Sequence, residues 1–111
     1  MYQGTLRYDD DDEDKLDFES FIIRDNEIAF RATTTWNKYE KWLIDSNAIF
    51  NGQHYETGLV NSTQVMNSSR TASCQVIFSE VVPLESRVKV KGYWLEDCVE
   101  YHFSGSLERK D

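Results

Sequence analysis

The sequence predicts an all-β domain: an antiparallel meander of seven or eight strands forming a small closed or half-open barrel. Three observations carry that expectation. Strand-length apolar stretches recur between polar breaks along most of the chain. The arms on either side of a C-terminal turn, 88–95 and 98–105, alternate apolar and polar residues, a pattern that a one-residue slip would invert. Asn51-Gly52 is the preferred two-residue connection of a β-hairpin. Exposed strand edges invite aggregation and closure removes them, so a barrel is favoured over the alternative, a two-sheet sandwich.

In chain order, 2–8 reads as the first strand. The run Asp9-Asp10-Asp11-Asp12-Glu13-Asp14 then forms the loop to the second. A turn at Asp25-Asn26 sets Phe21 and Ile23 against Phe30 and Ile28, and that register points Glu19 inward, opposite Ala32. The stretch 35–44 stays open between strand and a short helix, because Trp36, Tyr39 and Trp42-Leu43 recur at helical spacing after Thr35. Asn51-Gly52 places Phe50, Ala48 and Ile44 on one face with Tyr55 and Leu59. Residues 61–73 are polar and read as a mobile loop flanking a short strand at Val65-Met66, followed by a strand at 74–82. In the last hairpin a turn at Glu96-Asp97 pairs Trp94 with Val99, Gly92 with Tyr101 and Val90 with Phe103. Lys89, Lys91, Glu100, His102 and Ser104 then lie outside.

Composition bounds the function. The 111 residues fit one domain spanning 1–111, long enough to bury a core without metal or disulfide staples. With 14% aromatic residues and one proline, Pro83, this is not a disordered acidic segment. The first residues lack the basic start and apolar run of a secretion signal, and no stretch approaches the ~20 apolar residues of a membrane span. The expected location is cytoplasmic, with the free chain a monomer. Cys74 and Cys98 lack metal-ligand spacing and read as free thiols of a reducing compartment. A pI of about 4.7 repels nucleic acid and anionic membranes and attracts basic proteins.

Four constellations could carry chemistry. The formal net charge is -8, and removing the six acids of 9–14 leaves -2, so the acidity is one patch. That patch is not an EF-hand: counted from Asp9, the sixth and twelfth positions are Asp14 and Ser20, where the loop needs glycine and glutamate. It is a solvated loop or a docking surface for a basic partner. Packed affinity in the docking reading comes from exposed aromatics, Tyr8 and Tyr93. Glu100 and His102 share a face, but no nucleophile or oxyanion signal accompanies them, so no enzyme is expected. Glu19 with Trp36 and Trp94 could line a ligand cavity, against the plainer reading that aromatics fill the core. Arg87, Lys89 and Lys91 alternate on the outer face, where lysine protects a strand edge. No cofactor or metal motif is present in the sequence.

Two resemblances add to this reading. The meander with inward aromatics resembles the calycin group, although its Gly-x-Trp, Gly92-Tyr93-Trp94, lies near the C-terminus and not on the first strand. That likeness implies a barrel binding an apolar or aromatic small molecule. Small size, acidic balance, the lack of a signal and the run 9–14 resemble bacterial immunity proteins of contact-dependent inhibition and colicin-type systems. The second likeness implies a tight, basic toxin partner, with a nuclease as the leading class, whose active site acidic residues would cover.

Overall fold

The computed structural model describes residues 1–110. It is all-β, with nine strands: β1 Tyr2–Tyr8, β2 Asp11–Arg24, β3 Glu27–Trp36, β4 Glu40–Phe50, β5 Tyr55–Thr57, β6 Val60–Gln64, β7 Thr71–Pro83, β8 Arg87–Glu96 and β9 Val99–Arg109. Every pairing is antiparallel, and β5 and β6 succeed one another along a single position between β4 and β7. Pairing of β1 with β9 closes the ring, giving eight positions around an up-and-down barrel.

Closure needs glycine at the seam. Gly4 on β1 and Gly105 on β9 both have φ of 148°, and a Cβ on Gly105 would lie 3.0 Å from a Leu6 methyl. A side chain there would be strained, and glycine is not. Inward alternation then supplies the core. Leu6, Leu16, Phe18, Phe21, Ile28, Phe30, Ile44, Val76, Phe78, Val88, Val90, Trp94, Phe103 and Leu107 are buried. The rings of Phe18, Phe21, Phe30 and Phe103 surround Phe78 with centroids 5.2–6.1 Å apart. Edge-to-face contacts of this kind add to the burial of the rings themselves.

Several expectations are corrected. Residues 35–44 contain no helix: β3 ends at Trp36, Asn37 to Tyr39 turn, and β4 begins at Glu40. The helix-like spacing of Trp36 and Trp42 arises from two strands joined by a turn. Asn37 and Lys38 adopt φ of 50° and 57°, which a right-handed helix excludes. The bend at 9–14 is shorter than expected, since Asp9-Asp10 is the turn and Asp11 to Asp14 already belong to β2. Phe21 faces Phe30 and Ile23 faces Ile28 as predicted, but a bulge between Phe18 and Ser20 turns Glu19 outward.

Phe50 pairs with Tyr55, so the loop runs from Asn51 to His54, and Leu59 is exposed beside the break between β5 and β6. The Asn51 side chain accepts bonds from the N–H groups of Gln53 and His54, which extends the loop beyond two residues. Val65-Met66 lies in the turn after β6 and not in a strand. The last turn is Asp97-Cys98, pairing Trp94 with Tyr101 and Gly92 with Phe103. Moving a turn by one residue moves the pairing by two, so every predicted face is kept. Arg87, Lys89 and Lys91 do point outward, but β8 is paired on both sides and protects no edge.

Candidate functional site: the acidic end of the barrel

Four turns gather at one end: β1–β2, β3–β4, β6–β7 and β8–β9. Bonds between distant segments tie them together. The Asp9 N–H donates to the His102 carbonyl at 2.8 Å and the Val65 N–H to the Lys41 carbonyl at 2.9 Å. The Lys38 N–H donates to the Asp14 carboxylate at 2.7 Å. This end holds the whole run 9–14 together with Glu40, Glu96, Asp97 and Glu100.

The six acids of the run have different tasks. Asp11 accepts the N–H groups of Glu13 and Asp14, and the Glu13 bond leads in holding its carboxyl below the usual range. Asp14 is only 5% exposed and spends one oxygen on the β3–β4 turn. Asp9 accepts from the Ser104 hydroxyl at 3.0 Å, and Glu13 faces Lys38 at 3.5 Å. Among the described residues, the side chains of Asp10 and Asp12 have no hydrogen-bond or ion-pair partner and are exposed.

Behind the acids lies an aromatic cleft of about 90 Å³. Its floor is Trp36, stacked on Tyr8 at 6.5 Å and 23°, with Tyr101 edge-on at 4.9 Å. The exposed Asp10, Asp11, Glu100 and His102 form its rim, and the buried Asp14 completes the lining. A more open hollow beside it shares Asp11, Asp14, Trp36 and Tyr101 and adds Asn37 and Glu96. Tyr8 is therefore buried and not an exposed anchor. Its hydroxyl shares a 2.6 Å bond with Thr34, and burial drives its phenol well above the ordinary value despite that bond. Tyr93 is half-buried on the outer wall, with its ring 5.1 Å from that of His102.

The residues of the expected ligand cavity do not come together. Glu19 points outward to an ion pair with Arg31 at 2.6 Å, Trp36 floors the cleft, and Trp94 is buried in the core with its indole N–H donating to Glu96 at 3.1 Å. Side chains of the phenylalanine cluster occupy the centre. Cys74, buried near Glu96, has its thiol pushed up to about 12, chiefly by burial and secondarily by that charge, while Cys98 is exposed.

Sequence reasoning missed Tyr101, Glu96 and the apolar side chains of this end: Tyr39 is 80% and Met66 90% exposed, with Val65 half-exposed. Inward parity in β9 is the signal that could have found Tyr101. His102 lies 2.9 Å from Glu100, an exposed pair with no nucleophile beside it in the cleft. Among the described residues no group of three or more His, Cys, Asp or Glu is arranged to hold a metal ion. This end thus carries an excess of carboxylates beside aromatic side chains, with Lys38 and Arg70 paired to Glu13 and Glu40. No family model, curated protein or solved structure matches the chain.

Proposed function

We propose that the chain is a non-enzymatic binding protein, a cytoplasmic immunity protein that neutralises a basic, nuclease-type toxin by covering its active site with acidic residues. The observation that supports this reading is the coincidence, at one barrel end, of unpartnered carboxylates with exposed Tyr39, Val65 and Met66. Charge alone gives fast encounter but little hold, and apolar contact gives hold. Asp10, Asp12 and Glu13 steer the basic partner, while Tyr39 and Met66 pack against it. Nucleic acid and anionic membranes are repelled by the same charge.

Coexpression with the product of the adjacent gene tests the reading, because immunity genes usually follow their toxin genes. Protection of the cell from that product, lost in an Asp10→Asn, Asp12→Asn, Tyr39→Ala variant that still folds, is the expected outcome. A harmless neighbour, or protection unchanged in the variant, contradicts it.

A further inference from the structure

We propose that the cleft floored by Trp36 receives a guanidinium group, the side chain of one arginine presented by the protein partner. The inference rests on the protein-binding reading above and adds to it the chemistry of the central contact. Four carboxylates line the cleft, those of Asp10, Asp11, Asp14 and Glu100, and no lysine or arginine of the chain lines it. The ammonium of Lys38, on the β3–β4 turn, is directed elsewhere: it lies toward Glu13 and 5.6 Å from the Tyr39 ring centre. Asp11 and Asp14 each spend an oxygen on backbone N–H groups, which fixes them in place without cancelling their charge. Asp10 and Glu100 are left to accept from a guest, because Asp10 has no side-chain partner and Glu100 has only His102.

The floor selects among cations. The Trp36 ring lies nearly parallel to that of Tyr8, with centroids 6.5 Å apart, and Tyr101 meets it edge-on at 4.9 Å. A planar, weakly hydrated guanidinium stacks on such a ring while its donors reach carboxylates at the rim. An ammonium is compact and strongly hydrated, and it gains less from the same floor. A neutral aromatic would leave the carboxylates uncompensated, and a phosphate would be repelled. The cavity of about 90 Å³ suits a head group and not a whole ligand. The remainder of the guest then lies on the barrel end, among Tyr39, Val65 and Met66.

The test titrates N-acetyl-arginine amide into the full chain at low ionic strength, following the indole N–H resonances of its three tryptophans. The Trp36 signal is assigned by Trp36→Phe. N-acetyl-lysine amide and the neutral N-acetyl-citrulline amide are the comparison probes. A saturable shift of the Trp36 signal is expected, about tenfold weaker for lysine and absent for citrulline. Glu100→Gln with Asp10→Asn, both surface changes that leave the barrel packed, should weaken arginine binding about tenfold. No saturable shift, equal response to lysine and arginine, or indifference to the double variant overturns the proposal.

The protein source of the guanidinium is tested with the neighbouring-gene product. If that product binds as tightly to the Asp10→Asn, Glu100→Gln variant as to the wild type, the partner's arginine does not enter the cleft. The docking reading then survives and this inference fails. If capped arginine binds the cleft but no protein does, the docking reading fails and the cleft serves a free guanidinium compound.

Discussion

The backbone N–H of Lys38 donates to the carboxylate of Asp14 across 2.7 Å, joining the start of β2 to the turn between β3 and β4. Asn37 and Lys38 are both left-handed there, a conformation that asparagine tolerates but that costs a lysine about 1–2 kcal/mol, so an outside hold helps the turn. Asp14 supplies it from a site that is almost fully buried. The last acid of the run is therefore a structural part of the cleft, and among the acids before it Asp10 and Asp12 keep exposed side chains without a partner.

Asp14→Ala should lower stability by about 1–3 kcal/mol, the usual cost of orphaning a buried hydrogen-bonding group. Asp14→Asn, which keeps an acceptor oxygen, should cost less. Asp12→Asn should stay within about 0.5 kcal/mol of wild type, as an exposed substitution does. Urea denaturation of the three variants measures the order, and equal losses at positions 12 and 14 would contradict the division of labour.

Gly92 is buried opposite Phe103, and a Cβ on it would lie 2.0 Å from the Ile77 carbonyl oxygen, a backbone atom that cannot swing aside. Gly92→Ala should cost about 3 kcal/mol or more, because β7 and β8 must separate next to the bulge between Phe78 and Glu80. Thermal unfolding followed by circular dichroism reads the loss. An unshifted midpoint would mean the strands do not approach this closely.

The Asp97-Cys98 turn has φ of 52° and 64°, so both residues are left-handed. Aspartate tolerates that conformation and cysteine has no special means to do so. Cys98→Gly should raise stability by about 1 kcal/mol. A loss in urea denaturation would contradict the turn.

The cysteines make a second contrast. A thiol reagent at neutral pH should modify Cys98 at once and Cys74 only on unfolding. The Cys74 pKa is raised in the folded state from 9.0 to about 12, so its contribution is full below pH ~9 and is lost as pH rises toward 12. Buried Tyr8, whose phenol is likewise raised by burial, acts in the same direction from pH ~10 upward. Stability should therefore fall above pH ~9, and Cys74→Ala should remove the earlier part of that slope while costing stability at pH 7. A flat profile from pH 8 to 10 would contradict the burial of Cys74.

Much of this architecture is legible in the sequence. Alternation around Asp25-Asn26 gives the pairs Phe21–Phe30 and Ile23–Ile28, and parity in 88–105 gives both faces of the last hairpin. The Glu19 face is not legible, because the bulge that turns it out answers to barrel curvature and carries no local residue signal. The true turn, Asp97-Cys98, lacks the glycine or asparagine that marks such turns. The acidic patch is plain in the chain, but the roles within it are not. Asp14 answers to a residue 24 positions away at the end of the β2–β3 hairpin, and Asp9 to one 95 positions away, a separation that only closure of the barrel brings into contact. The aromatic floor depends on closure in the same way, drawing Tyr8, Trp36 and Tyr101 from β1, β3 and β9.

The central claim is that the acidic end captures a basic protein. Its most direct test is a tagged pull-down from the native host at low ionic strength, run in parallel with an Asp10→Asn, Asp12→Asn, Glu13→Gln variant and read by mass spectrometry. The account predicts one basic protein near one-to-one with the wild type, released by high salt, depleted in the variant, and with a nuclease activity that the wild-type chain blocks. A stoichiometric small molecule with no protein partner, or a protein retained equally by the variant in both salts, would contradict it.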